Sequence, residues 1–596
     1  MFNKKTVPAI LTIGLFVVSN GFCQGLEENW NDFLHYTKIG RFDLAKGYAQ
    51  VLLESNPDPV KLFELSEGNP AGFSFLQRVH EIAPDAELTE LAGKVLSIIE
   101  QGRFIRRQDP KIIVDEIKRL STTERGKLTA VKRLKDAGEY AIPFMLDAIA
   151  DDSRENELAN IVWALPQIGR PAIRPLVAAL QTEDVVVKAE IIRALGNTGY
   201  PQSLAYLKYI VEKDDSDELR GLAADSIRQI DPAAVVTSSA ELFFRLAESY
   251  YYHSESLAPA EDANFANIWF WDPARKRLGR QEVDKSYFNE LMAMRCCEWA
   301  LKAEPGFGQA IGLWLAAFFK AESTGVQMPA YFGDRHADAL VYATTAGPEY
   351  LHQALARAIR DKNAAVALGA VEALATTAGE KSLLYTLGPA QPLLAALSFD
   401  DKAVKYSAAI AIASAGPQER FAESRLVVEN LAEALGQNPG QAGGTKLQSE
   451  DSANNYALRA ADAMLKLAQS RNRVIDLSIA QGVLINATKD KRTVIQILTG
   501  QVLAHLGSPE AQRAIAAMAL DSGNDLDVRI LAFNSLATSA KINANMLVDT
   551  MIDDIYALIS SDETDPGLRS AAAAAYGALN LPSQKVKDLI LDQSKS

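Results

Sequence analysis

The side chains with chemistry to offer fall into two basic islands in an acidic chain. Residues 103 to 136 carry eleven Lys or Arg against five Asp or Glu, Arg106, Arg107, Arg119 and Arg133 among them. A solvated helix face accounts for such a run, and so does a patch for an acidic partner. The second island, Arg275, Lys276, Arg277 and Arg280, follows Trp269 and Trp271 closely. Aromatic anchors beside arginines are the composition of interface hot spots. The competing reading makes the two tryptophans buried anchors of a structural plug. Trp269, Trp271, Arg275, Arg277, Arg280, Arg106, Arg107, Arg119 and Arg133 are therefore the candidate partner-binding residues.

Catalytic constellations are not found. The histidines His35, His80, His253, His336, His352 and His505 are dispersed, with no pair at i, i+4 around a glutamate and no CxxC to complete a metal site. Neither a phosphate-binding glycine loop preceding a helix nor a G-x-S-x-G elbow occurs. Asp214, Asp215 and Asp217, and Asp521, Asn524, Asp525 and Asp527, offer oxygens without the Gly and bidentate Glu of an EF-hand, so they read as helix N-caps. We expect no cofactor, no metal and no enzyme.

The elements that must position the two islands repeat. Residues 175 to 199, PLVAALQTEDVVVKAEIIRALGNTG, and 392 to 416, PLLAALSFDDKAVKYSAAIAIASAG, share one grammar: a Pro at a first helical turn, an apolar helix, an acidic turn, then a second helix with an aliphatic-basic pair. That pair recurs as Val187-Lys188, Leu219-Arg220, Val404-Lys405, Val528-Arg529 and Leu568-Arg569. Four residues on stand Ile191, Ala223, Ala408, Ala532 and Ala572; eight on stand Leu195, Ile227, Ile412, Leu536 and Tyr576. Those positions share one helix face. Gly138, Gly169, Gly199 and Asp231 end successive helices 31, 30 and 32 residues apart, which predicts paired helices ending on left-handed residues.

With these residues in view the chain resembles HEAT-repeat proteins, particularly the bacterial HEAT-like type with a V-[KR]-x-x-A signature, over about half its length by the repeat criterion. The stretch 34 to 57 places Gly40, Phe42, Ala45 and Pro57 as a tetratricopeptide unit would, and ALKAEP at 300 to 305 repeats such a unit's ending. The expected fold is all-α, an α-solenoid of HEAT-like helix pairs with tetratricopeptide-like segments. A small β-hairpin is expected over 267 to 283, where an aromatic run meets an Asp-Pro break and a basic loop. Aromatics crowd Phe243 to Phe319, and most are expected to pack, Trp299, Trp314 and Phe318 among them.

This reading divides the chain into a signal peptide at 1–25, a tetratricopeptide-like segment at 26–108 and a HEAT-like array at 109–236. An aromatic hub with its hairpin follows at 237–330, a second array at 331–437, a flexible linker at 438–455 and a C-terminal array at 456–596.

The formal charge of −14 opposes generic nucleic-acid binding. Lys4 and Lys5 followed by an apolar run from Val7 to Val18 have the layout of a signal peptide, too short to span a bilayer. Export to the periplasm or cell envelope, or secretion, is expected, with an uncleaved anchor as the rival. Asn20 and Phe22 disfavour a lipid anchor at Cys23. Adjacent Cys296 and Cys297 would remain; they make no disulfide framework and read as small residues on a buried helix face.

The function expected is a non-catalytic scaffold whose stacked helix pairs bind protein partners. The resemblance also admits two alternatives: a lyase-type enzyme or chaperone of a chromophore protein, since HEAT-like repeats of this type occur in phycobilin lyases, and a self-associating structural protein of the envelope.

Overall fold

The computed structural model describes residues 25–82, 85–259, 264–327, 337–437 and 450–582, together with 584, 587, 590 and 591. Residues 1–24, which hold Cys23 and all but the last residue of the expected signal peptide, lie outside the described residues, as do His336 and residues 438–449 of the expected linker. The rest is helix joined by short turns, apart from one two-stranded sheet.

The helix Val185–Thr198 shows why the repeat folds as it does. Asp184 accepts from the backbone N–H of Val186 and Val187 at 2.9 and 3.0 Å, satisfying two of the first-turn donors, and Gly199, at φ 75°, ends the helix in the left-handed region. Asp401 caps Lys402–Ala415 in the same way, and Gly416 ends it at φ 61°. Each such helix turns its signature positions inward: Val187, Ile191 and Leu195 are buried, as are Val404, Ala408 and Ile412, and Val528, Ala532 and Leu536. Fully burying an aliphatic side chain of valine size or larger is worth about 1.5–3 kcal/mol, so this stripe dominates the cohesion of a helix pair.

The basic member of the signature has a separate task. Arg220 donates to the carbonyl of Asp214 at 2.7 Å, Arg529 to that of Ala519 at 3.1 Å, and Arg569 to that of Ser561 at 2.6 Å. All three carbonyls sit at or just past the C-terminus of the preceding helix, where backbone acceptors lack helical partners and the dipole is negative. In these three repeats the arginine ties its helix to the end of the one before it, whereas Lys405 bonds Glu433 of the helix that follows.

Two expectations need correction. Asp231 does not end a helix in the left-handed region; at φ −153° it is extended and opens the short 3-10 turn Pro232–Val236 by accepting from Ala233. Residues 450 to 455, expected in the linker, form the start of the helix Glu450–Gln469, in which Ala453 is buried. Their run of polar residues hid the start of a helix whose first turns bury only Ala453, Tyr456 and Ala457.

The chain divides into two compact units. The first holds the described residues up to 203 with 221–230 and 269–280; the second holds 204–220, 231–268 and the described residues from 281 onward. At the N-terminal end of the first, Leu26–Lys38 and Phe42–Glu54 form a helical hairpin around Gly40, whose φ of 74° makes the turn. Its core is built on Trp30, Phe33, Leu52 and Ile99.

In the second unit the aromatic hub comprises the helices Ser239–Tyr251, Lys285–Ala303 and Gln309–Glu322. Phe243 stacks on Trp299 at 5.8 Å and Trp314 meets Phe318 edge-on at 5.3 Å. Cys296 and Cys297 are fully buried here, and burial pushes the Cys296 thiol up to about 12. The predicted hairpin is present as β1, Phe265–Asp272, and β2, Arg277–Asp284. Its outer part, Trp269–Arg280, belongs to the first unit, and its base to the second.

Candidate functional site

Both basic islands take their place in the first unit. The helices Pro59–Gly68, Pro70–Ile82, Ala86–Gln108, Pro110–Arg119 and Glu124–Ala137 line a cleft of about 390 Å³. Phe63, Phe73, Ile112, Ile113 and Leu134 give it an apolar floor, while Arg103, Arg106, Arg107, Lys132 and Arg133 face Glu67, Glu100, Glu116 and Asp136 around it.

The acids are not equivalent. Glu116 is 3% exposed and is held by Arg133 at 2.5 Å and by Arg119 at 3.0 Å. A buried carboxylate demands such pairing, because desolvation otherwise expels or neutralises it. Arg106 is consumed in an ion pair with Glu67 and lies over the Phe63 ring. Asp136 sits differently: burial pushes its carboxyl up, while Arg103 and Lys132 pull it down. The cleft therefore pairs its deepest charges and presents Lys132 and Asp136 near its mouth.

The hairpin brings the second island alongside. Asp272 caps the turn by accepting from the N–H of Ala274 and Arg275 at 3.0 and 3.1 Å, and Lys276 takes φ 48°. Alternation along β1 puts Trp269 and Trp271 on one face and Phe270 on the other. Trp269 is 7% exposed and its indole N–H donates to Glu139 at 2.8 Å. This corrects its candidacy: Trp269 is an anchor of the hairpin, inaccessible to a partner. Phe270 covers Gly279, where a Cβ would lie 2.6 Å from the ring, so a larger residue there would displace the ring.

Trp271 stays half-exposed. With Pro273, Leu278 and Arg277 from the hairpin, and with Asp147, Glu183 and Asp184 from the repeats, it lines a second groove of about 530 Å³. Among the described residues Arg275 pairs with Asp272 alone, at 3.6 Å, and its side chain is exposed.

One ring connects the islands. Tyr140 is buried, with the Arg107 guanidinium 5.3 Å from its centroid and that of Arg280 at 5.0 Å. Arg280 also donates to Gln108 at 3.0 Å. Of the nine candidates, Arg106, Arg107 and Arg133 line the cleft, Trp271 and Arg277 line the groove, and Arg280 joins the two regions through Tyr140. Arg119 and Arg275 stand outside both. Tyr140, Glu139 and Glu116 were not read from the sequence as functional residues. One signal existed: two residues past its glycine, Tyr140 stands where the next repeats carry Pro171 and Pro201.

These features define an all-helical repeat protein with an inserted hairpin. The family model described as HEAT repeats matches residues 142–228, which hold two copies of the signature. No curated protein matches the chain. Among solved structures it is similar to an engineered protein at 16% identity, covering 88% of this chain and 99% of that one with a TM-score of 0.22. She4p is similar at 14% identity, 93% and 84% coverage and a TM-score of 0.31. Kap121p bound to RanGTP is similar at 11% identity, with 93% of this chain, 56% of that chain and a TM-score of 0.29. At such scores these likenesses carry nothing about partners. Among the described residues no group of three or more His, Cys, Asp or Glu could hold a metal ion, and no helix is long and apolar enough to cross a membrane.

Proposed function

We propose that the protein is a non-catalytic interaction scaffold, exported from the cytoplasm, that holds a protein partner against its first unit at the cleft and hairpin groove. The observation that carries this reading is the convergence on Tyr140 of Arg107, which lines the cleft, and Arg280, which comes from the hairpin whose Trp271 and Arg277 line the groove. Concave surfaces of stacked helix pairs suit macromolecular partners. Export is supported by Lys4, Lys5 and the apolar run from Val7 to Val18.

Cross-linking in intact cells, followed by mass spectrometry, tests the scaffold directly. Partner peptides should cross-link to lysines of the first unit, Lys132 and Lys276 in particular, and Trp271→Ala with Arg277→Glu should reduce their yield. Cross-links only to further copies of this chain would instead favour a self-associating layer. Cell fractionation tests the compartment: recovery of the chain in the cytoplasm would overturn export.

A further inference from the structure

The cleft of the first unit settles most of its charges internally. Arg106 holds Glu67, Arg119 and Arg133 hold Glu116, and Arg103 stands 3.6 Å from Glu100. Lys132 and Asp136 are the exception: both line the cleft, and among the described residues neither makes an ion pair or a side-chain hydrogen bond. They stand four apart on the helix Glu124–Ala137, which puts their Cβ atoms about 5–6 Å from each other. Lysine before acid is the weaker order for such a pair, and the two remain apart.

Asp136 is placed where the fold gains nothing from a carboxylate. It lies in the last turn of its helix, at the negative end of the dipole, and burial pushes its carboxyl up although Arg103 and Lys132 pull the other way. Two residues before the next turn residues, Gly169, Gly199 and Asp231, the chain carries Gln167, Asn197 and Gln229, all neutral. The acid therefore belongs to the cleft and not to the repeat. A residue that breaks a local rule without a structural return marks a functional position.

We propose that the cleft binds a free aromatic α-amino acid, its ring on the apolar floor, its ammonium against Asp136 and its carboxylate against Lys132. The proposal goes beyond the scaffold reading and stands on the cleft alone. Phe63, Phe73, Ile112 and Leu134 supply the surface that buries a ring, and two phenyl groups among them favour an aromatic partner. The cleft volume of about 390 Å³ lies within the range of about 300–1,000 Å³ usual for small-molecule sites. An α-amino acid carries both charges on one carbon, so a single head group reaches a lysine and an aspartate one helical turn apart. A ligand with only one charge leaves the other rim group desolvated and unpaired. The ammonium also meets the field of the helix C-terminus behind Asp136, which favours a cation.

Isothermal titration calorimetry of the full chain tests the site. L-Phenylalanine should bind saturably. L-Phenylalaninamide and 3-phenylpropionate, which each lack one charge, and L-alanine, which lacks the ring, should bind about tenfold more weakly or worse. Asp136→Asn should weaken L-phenylalanine and L-phenylalaninamide about tenfold and leave 3-phenylpropionate unchanged. Lys132→Met should weaken L-phenylalanine and 3-phenylpropionate and leave L-phenylalaninamide unchanged. Both side chains are exposed, so the circular dichroism spectrum should not change in either variant. No saturable binding of L-phenylalanine at millimolar concentration, wild-type affinity for it in either variant, equal affinity for L-phenylalaninamide, or a uniform loss across all three ring-bearing ligands would each overturn the site.

Discussion

The indole N–H of Trp269 donates to the Glu139 carboxylate at 2.8 Å, and Arg174 approaches the same carboxylate at 3.4 Å. A buried tryptophan so placed is part of the fold. Replacing Trp269 by Ala should destabilise the first unit by about 3–5 kcal/mol, the range for losing a buried large aromatic, whereas Trp271→Ala should stay within about 1 kcal/mol. Urea unfolding of both variants distinguishes them, and equal midpoints would contradict the assignment.

The signature arginines give a second expectation. Arg529→Met and Arg569→Met each leave the apolar stem and delete a charge-assisted bond to a helix-end carbonyl, which should cost about 1–2 kcal/mol. Arg425→Met, by contrast, removes only an exposed pair with Glu429 and should change little. Thermal melts that ranked Arg425→Met as the most damaging would refute the capping role.

The acid side of the stability profile should report Glu290. Its carboxylate is 2% exposed; burial pushes it up, but the contacts with His253 at 2.5 Å and Lys320 at 3.0 Å more than offset this, so it lies below the ordinary value. A carboxyl depressed in the folded state stabilises above the ordinary carboxylate range, and that stability is lost as pH falls through the folded value. Glu290→Gln should therefore be destabilising at neutral pH, with a loss that shrinks between pH 5 and pH 3. A gap that stayed constant over that interval would exclude this linkage.

Two glycines should answer oppositely to alanine. In the helix Ala86–Gln108, a Cβ at Gly102 would lie 1.8 Å from the Pro59 carbonyl oxygen, so Gly102→Ala must push two helices apart and should cost about 1–3 kcal/mol. Gly47, inside Phe42–Glu54, has nothing within 4 Å of such a Cβ, and Gly47→Ala should stabilise by about 0.5–1 kcal/mol. Differential scanning calorimetry should show shifts of opposite sign.

Local rules made much of this molecule legible. Asp184 and Gly199 bracket a helix by capping chemistry that involves only neighbours in sequence, and Val187, Ile191 and Leu195 align by helical period alone. The aromatic run and Asp-Pro break likewise marked the hairpin. What stayed hidden depends on distant segments: nothing near Trp269 in the chain announces Glu139, and nothing near Arg107 announces that Arg280 shares its tyrosine. A basic island could be seen in sequence, but which of its arginines were already spent on Glu67 and Glu116 could not. Asp231 misled because its spacing matched a glycine while its side chain served the next turn.

The buried sulfurs of Cys296 and Cys297 bear on where such a chain can fold. Burial holds both thiols above the ordinary thiol range, so they stay protonated at neutral pH, and only the thiolate attacks a disulfide. The folded protein is therefore silent towards thiol exchange, and the same structure serves in reducing and oxidising surroundings. The hazard falls on the unfolded chain: in an oxidising compartment, burial of the Lys285–Ala303 helix has to outrun the oxidants, which makes the hub the segment whose folding speed matters most.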